Sequence, residues 1–99
     1  MKVYIAGKIT GLPEVEVYAK FYRSERALQK TGHLTMSPAV LMLNEGFAHE
    51  DYMHVCFAMI DVCDAVYMQG DWEDSRGARL EMQYAKERKK QVIFEAARG

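Results

Sequence analysis

Glu81 closes the run Gly70-Asp71-Trp72-Glu73-Asp74-Ser75-Arg76-Gly77-Ala78-Arg79-Leu80-Glu81, which follows an apolar stretch and leads into a helical pattern. A carboxylate so placed is suited to nucleophilic attack on an electrophilic carbon. Near a helix N-terminus the aligned peptide dipoles favour its ionised form. The bland alternative is an exposed glutamate in an i, i+4 pair, but Ala85 at i+4 offers no partner. Ser75 and Asp74 are both good N-caps. Ser75 can instead offer its hydroxyl and backbone N–H to a phosphate. Gly77 costs roughly 1 kcal/mol inside a helix, which suits close approach of a ligand or loop, or is simply tolerated. Trp72, the only tryptophan, can stack on a base or sugar, cover the core or fill a subunit contact.

Other groups carry weaker signals. Gly7-Lys8-Ile9-Thr10-Gly11 is glycine-bearing but lacks the spacing of a P-loop or a dinucleotide fingerprint. Lys8 offers a point charge for a phosphate or carboxylate, and Tyr4 sits in a strand-like run where packing is its usual role. His33, His49 and His54 form no metal-ligand spacing with each other or with carboxylates, and no Ser-His-Asp or Cys-His arrangement can be read. His54, three residues after Asp51, reads as part of a solvent-facing stripe. Cys56 and Cys63, seven residues apart on one helix, would stand about 10 Å apart along its axis, too far for a disulfide. No metal and no cofactor are expected.

The elements that must position these groups alternate. Residues 2–6 are a β-branched and aromatic run ended by Gly7, a first strand. Pro13 suits the first turn of a helix over 14–31, with Val17, Phe21 and Leu28 on its apolar stripe and Gly32 as its stop. Residues 33–36 form a second strand, 39–43 a brief helical piece, and 48–63 a helix with Tyr52, Val55, Cys56, Met59, Ile60 and Cys63 at helical spacing. A third strand covers 65–68, a helix 75–90 with Ala78, Met82 and Ala85 on one face, and a fourth strand 91–94, leaving a frayed tail. This order predicts an α/β fold: a small flavodoxin-like three-layer sandwich with a four-stranded parallel sheet, order 2-1-3-4, in one domain over 1–99. Ligands of such sheets bind outside the carboxyl ends of the strands. That edge gathers Gly7, Lys8, Thr10, Ser37, Asp51, His54, Asp71, Trp72, Glu73, Asp74, Ser75, Arg76 and Glu81. Asp61 and Asp64 fall at the opposite edge.

Composition narrows the function classes. With 99 residues, 49% hydrophobic and 27% charged, the chain suits one globular domain. A net charge of −1 gives no footprint for nucleic acid or an anionic membrane. Lys86, Arg88, Lys89 and Lys90 complement the dipole at a helix end. No apolar stretch reaches the ~18 residues of a membrane span, and no signal peptide is read. Cysteine usage fits a reducing cytoplasmic setting.

Lys2-Val3-Tyr4-Ile5-Ala6-Gly7, Ile9-Thr10-Gly11, Tyr52-Met53, Cys63-Asp64-Ala65-Val66-Tyr67 and the closing series Trp72-Glu73, Ser75, Gly77-Ala78, Glu81, Ala85 form a recognisable series. Through them the chain resembles the small relatives of nucleoside 2-deoxyribosyltransferase, specifically the domain of unknown function 4406 group of bacteria and their phages. The resemblance implies that Glu81 attacks the anomeric carbon of a (deoxy)ribose, the base departs from a glycosyl-enzyme ester, and a second base or water takes the sugar. It implies that Tyr4 and Gly7 border the sugar. Ser75, an aspartate in the transferases and a serine in the nucleotide N-hydrolase branch, would hold a 5′-phosphate. It also implies dimers or larger homo-oligomers with neighbouring subunits completing sites. One position departs: the superfamily's second catalytic carboxylate, eight residues before Asp64, is here Cys56. A thiol does not replace a carboxylate that orients sugar or relays a proton, and Asp71, Glu73 or Asp74 would have to supply an acid from the loop.

The expected function is nucleoside or nucleotide binding with N-glycosidic bond transfer or hydrolysis. In it Glu81 is the nucleophile, Ser75, Lys8, Gly7 and Gly77 hold sugar or phosphate, and Trp72 contacts the base. The alternatives are a non-catalytic binder of a nucleotide or nucleotide-derived signal, which Cys56 favours, and an interaction module using Phe57 and Trp72. The expected partners are a small-molecule nucleoside or nucleotide and further copies of the chain, not nucleic acid or membrane.

Overall fold

Four short apolar runs lie side by side as strands β1 (Lys2–Ala6), β2 (Leu34–Met36), β3 (Ala65–Met68) and β4 (Gln91–Phe94) in a computed structural model that describes residues 1–96. All pairings are parallel, in the order β2-β1-β3-β4. Part of the expected frayed tail, residues 97–99, lies outside the described residues. Helices α1 (Glu14–Lys30), α2 (His49–Asp61) and α3 (Arg76–Glu87) supply the crossovers. Central strand β1 is buried on both faces from Val3 onward, as parallel strands covered on both sides must be.

The pleat divides β1 between two cores. Val3 and Ile5 face α1, where Val17, Phe21 and Leu28 pack. Tyr4 and Ala6 face Cys56 and Ile60 of α2 and Ala78, Met82 and Ala85 of α3. Each fully buried large side chain, such as Phe21 or Ile60, contributes about 1.5–3 kcal/mol of burial. The result is a three-layer, flavodoxin-like sandwich. Val55 departs from the expected stripe of α2 and is 41% exposed, because only the seam around Cys56 and Ile60 reaches the sheet.

Helix ends follow local chemistry. Gly32 (φ 89°) ends α1 in a Schellman motif: the His33 N–H donates to Leu28 O and the Gly32 N–H to Gln29 O. The same motif ends α3 three residues earlier than its periodicity suggests. The Lys90 N–H donates to Ala85 O and the Lys89 N–H to Lys86 O, with Lys89 itself at φ 58°. Two 3-10 helices occupy the carboxyl edge of the sheet: Pro38–Leu43 after β2, and Trp72–Asp74 after β3. The second falls in a stretch that reads as plain loop from sequence.

Because the chain leaves β1 toward β2 and returns through α2 to β3, the strand order reverses between β1 and β3. That reversal opens a crevice at the carboxyl ends of these two strands.

Candidate active site

Glu81 lies on the floor of this crevice, on the sheet-facing side of α3, and is 4% exposed. The Tyr4 hydroxyl, from β1 beneath, donates to Glu81 Oε2. The Cys56 thiol, from α2, also hydrogen-bonds the carboxylate. Burial pushes the Glu81 carboxyl from its ordinary 4.5 up to about 7, and the two hydrogen bonds oppose that shift without cancelling it. The expectation of a fully ionised carboxylate is therefore corrected. A helix dipole supplies roughly 0.3–1 kcal/mol, whereas a shift from 4.5 to about 7 corresponds to about 3 kcal/mol.

The neighbours respond in the same way. Burial, then the charge of Glu81, holds the Tyr4 phenol well above its usual range. Burial, then Glu81, pushes the Cys56 thiol up to about 12. Neither gives up a proton near neutral pH, so Glu81 is the one member of this buried trio that changes charge there.

The cleft above Glu81 has a volume of about 630 Å³, within the range of small-molecule sites. Gly7, Lys8 and Thr10 line it from the β1 loop, and Asp74, Ser75, Arg76 and Gly77 from the start of α3. Ser75 caps that helix, its Oγ accepting from the Ala78 N–H at 3.1 Å. A Cβ on Gly77 would stand 3.5 Å from Met53 Sδ and 3.9 Å from both His49 Nε2 and Ser75 Oγ. Those are ordinary contacts, so no protein atom demands a glycine there. Gly7 is different: its Cβ would stand 2.0 Å from Gln69 Oε1. Gln69 is 2% exposed and is held by its Nε2 donating to Lys20 O and Ser24 Oγ. The glycine is required by this buried glutamine whatever the ligand.

Several residues assigned by sequence to this edge serve the scaffold. Tyr4 is fully buried and reaches the cleft through Glu81 and Cys56 rather than lining it. Trp72 is not brought to the cleft lining. Its ring stands 6.1 Å from that of Phe94 and packs on the α2–α3 side of the core, so covering the core is the role its contacts give it. Asp71 accepts from the Lys8 N–H at 3.0 Å and pairs with Lys20 at 2.8 Å, while Lys20 Nζ also donates to Lys8 O. Asp51 accepts from the Ala48 N–H at the start of α2, and His54 is exposed away from the cleft. Phe57 is half-buried and stacked on Tyr84 at 4.3 Å. At the far edge Asp61 accepts from the Tyr84 hydroxyl, and Asp64 accepts from the Lys2 N–H.

Sequence reasoning missed His49, Met53 and Glu14 as lining residues, and Lys20 and Gln69 as supports. His49 was visible only as a histidine at a helix start. Lys20 carries no local signal, since its partners lie 12 and 51 positions away. Among the described residues no cluster of three or more His, Cys, Asp or Glu could hold a metal ion. No helix there is long and apolar enough to cross a membrane.

These features define a class: a flavodoxin-like α/β domain with a ligand-sized cleft at its topological switch point and a buried carboxylate on the cleft floor. Residues 1–94 match the family described as Domain of unknown function (DUF4406), and the chain belongs to that family. Among solved structures it is similar in fold to a 2-desoxiribosyltransferase from Leishmania mexicana, with a TM-score of 0.69 and 23% identity. The similarity covers 94% of this chain and 62% of that one, so this chain spans less than two thirds of the transferase's length. No curated protein matches it.

Proposed function

We propose that the cleft binds a nucleoside or nucleotide and that Glu81 acts on its N-glycosidic bond, in transfer or hydrolysis. The observation that carries this reading is a carboxylate on the floor of a cleft of about 630 Å³, oriented by the Tyr4 hydroxyl. Likeness of fold to a 2-desoxiribosyltransferase supports the substrate class. In this reading one Glu81 oxygen attacks the anomeric carbon as the base departs, splitting one hard displacement into two easier ones. Tyr4 orients the carboxylate from below. Ser75, Lys8, Gly7 and Gly77 hold the sugar or its phosphate along the cleft wall. Incubation with a panel of nucleosides and nucleotides, followed by chromatography for free base, tests the proposal. Glu81→Ala is expected to abolish base release while leaving ligand binding largely intact; undiminished release in that variant sinks it.

A second reading is a non-catalytic binder of a nucleotide or nucleotide-derived signal. Cys56 favours it, because a thiol pushed up to about 12 is a poor substitute for a second carboxylate. This reading expects ligand-dependent thermal stabilisation with no base released, and turnover by the wild-type chain excludes it.

A further inference from the structure

We propose that His49 is the acid–base partner of Glu81, giving the departing base its proton; this inference rests on the N-glycosidic reading of the cleft. The buried trio itself lacks such a partner. Tyr4 is sealed beneath the floor, and Cys56 holds its proton up to about 12. His49, the first residue of α2, lines the same cleft from its exposed rim. Histidine is the side chain whose ordinary chemistry both gives and takes a proton near neutral pH.

The geometry turns on Gly77. His49 Nε2 and Ser75 Oγ each lie 3.9 Å from where its Cβ would stand, ordinary contact distances that bring the imidazole and the hydroxyl to the same turn of α3. Gly77 and Glu81 are four residues apart on α3 and share a face. This turn therefore lies about 6 Å along the helix axis from the carboxylate's residue. A nucleoside with its anomeric carbon over Glu81 and its base extending along the α3 wall of the cleft would bring the base past Gly77, beside His49. Glu14, Glu45, Asp74, Lys8 and Arg76 also line the cleft.

The two half-reactions balance. One Glu81 oxygen bonds the anomeric carbon as the carbon–nitrogen bond breaks. Its electron pair leaves with the base, which takes a proton from the His49 imidazolium. Water then bonds the same carbon and gives its proton to the neutral imidazole. The ester oxygen leaves with its electron pair, restoring the Glu81 carboxylate.

Leaving-group dependence tests this. Wild type, His49→Gln, His49→Ala and Glu81→Ala are assayed for base release from ordinary purine nucleosides and their 5′-monophosphates, and from N7-methylated purine counterparts. A methylated base departs neutral and needs no proton. With ordinary substrates both His49 variants are expected to lose about 10²–10⁴-fold in rate. With methylated substrates they are expected to keep wild-type rates within about tenfold, whereas Glu81→Ala loses both. Equal losses on the two substrate types, or no loss, overturn the role of His49 while leaving that of Glu81 standing. Absence of release from any substrate by wild type, or full release by Glu81→Ala, overturns the glycosidic reading and this inference together.

Discussion

At the scale of single residues, burial decides the chemistry of Glu81. The folded carboxyl titrates at about 7 against an ordinary 4.5, so the folded chain holds the extra proton between those values. A group that is more basic when folded favours the fold at low pH, and that contribution is lost as pH rises through the folded value. Stability is therefore expected to fall by about 3 kcal/mol between pH 4.5 and pH 7 on account of this group and to level off above. Glu81→Gln removes the titration and should flatten the profile, as denaturant melts from pH 5 to pH 8 would reveal. An unchanged slope in the variant would assign the dependence elsewhere. The place of Glu81 at the ligand edge was legible in the sequence from its position after Ser75 and Gly77. Its raised pKa was not, because that comes from burial among elements far apart in the chain, against which the hydrogen bonds from Tyr4, 77 positions away, and from Cys56 work.

At the scale of elements, α3 carries both the cap and the carboxylate of the site. Its N-terminal turn contains Gly77, whose missing side chain no protein atom requires. Gly77→Ala is expected to raise stability by about 0.5–1 kcal/mol through helix propensity. The same methyl group projects beside His49 at the cleft wall, so ligand affinity should fall. Thermal melts with and without nucleoside separate the two effects; unaltered affinity would mean that the glycine serves no ligand. The other end of α3 shows the limit of periodicity. The helical pattern runs on to residue 90, but the chain turns at Lys89, where φ reaches 58°. A lysine there announces nothing, whereas Gly32 marks the corresponding turn of α1 openly. Likewise the 3-10 helix Trp72–Asp74 is built by two i→i+3 bonds, from the Asp74 and Ser75 N–H groups, that no residue spacing declares.

At the scale of the whole molecule, the two loops flanking the strand-order reversal are tied by one ion pair. Lys20 of α1 reaches Asp71 at 2.8 Å and the carbonyl of Lys8 at 2.7 Å, with side-chain exposures of 12% and 32% for the pair. Lys20→Ala leaves Asp71 and Lys8 O without this donor, and is expected to cost about 1–3 kcal/mol. It should also weaken ligand binding, since Gly7 and Lys8 line the cleft. Calorimetry beside a nucleoside titration checks both, and a variant as stable as wild type would show the tie to be incidental. The sequence by itself determined the alternation of strands and helices, the order β2-β1-β3-β4 and the edge at which the cleft opens. Local periodicity and the parallel topology it implies are enough for these. Only the tertiary structure decided which polar residues at that edge face the cleft. It turned Trp72 onto Phe94, committed Asp71 to Lys20, placed Gln69 against Gly7 and brought His49 to the rim. Each of these depends on contacts between residues far apart in the chain, whose directions are set by packing and leave no mark in local spacing. The run that ends at Glu81 could therefore be found from sequence, while the company Glu81 keeps could not.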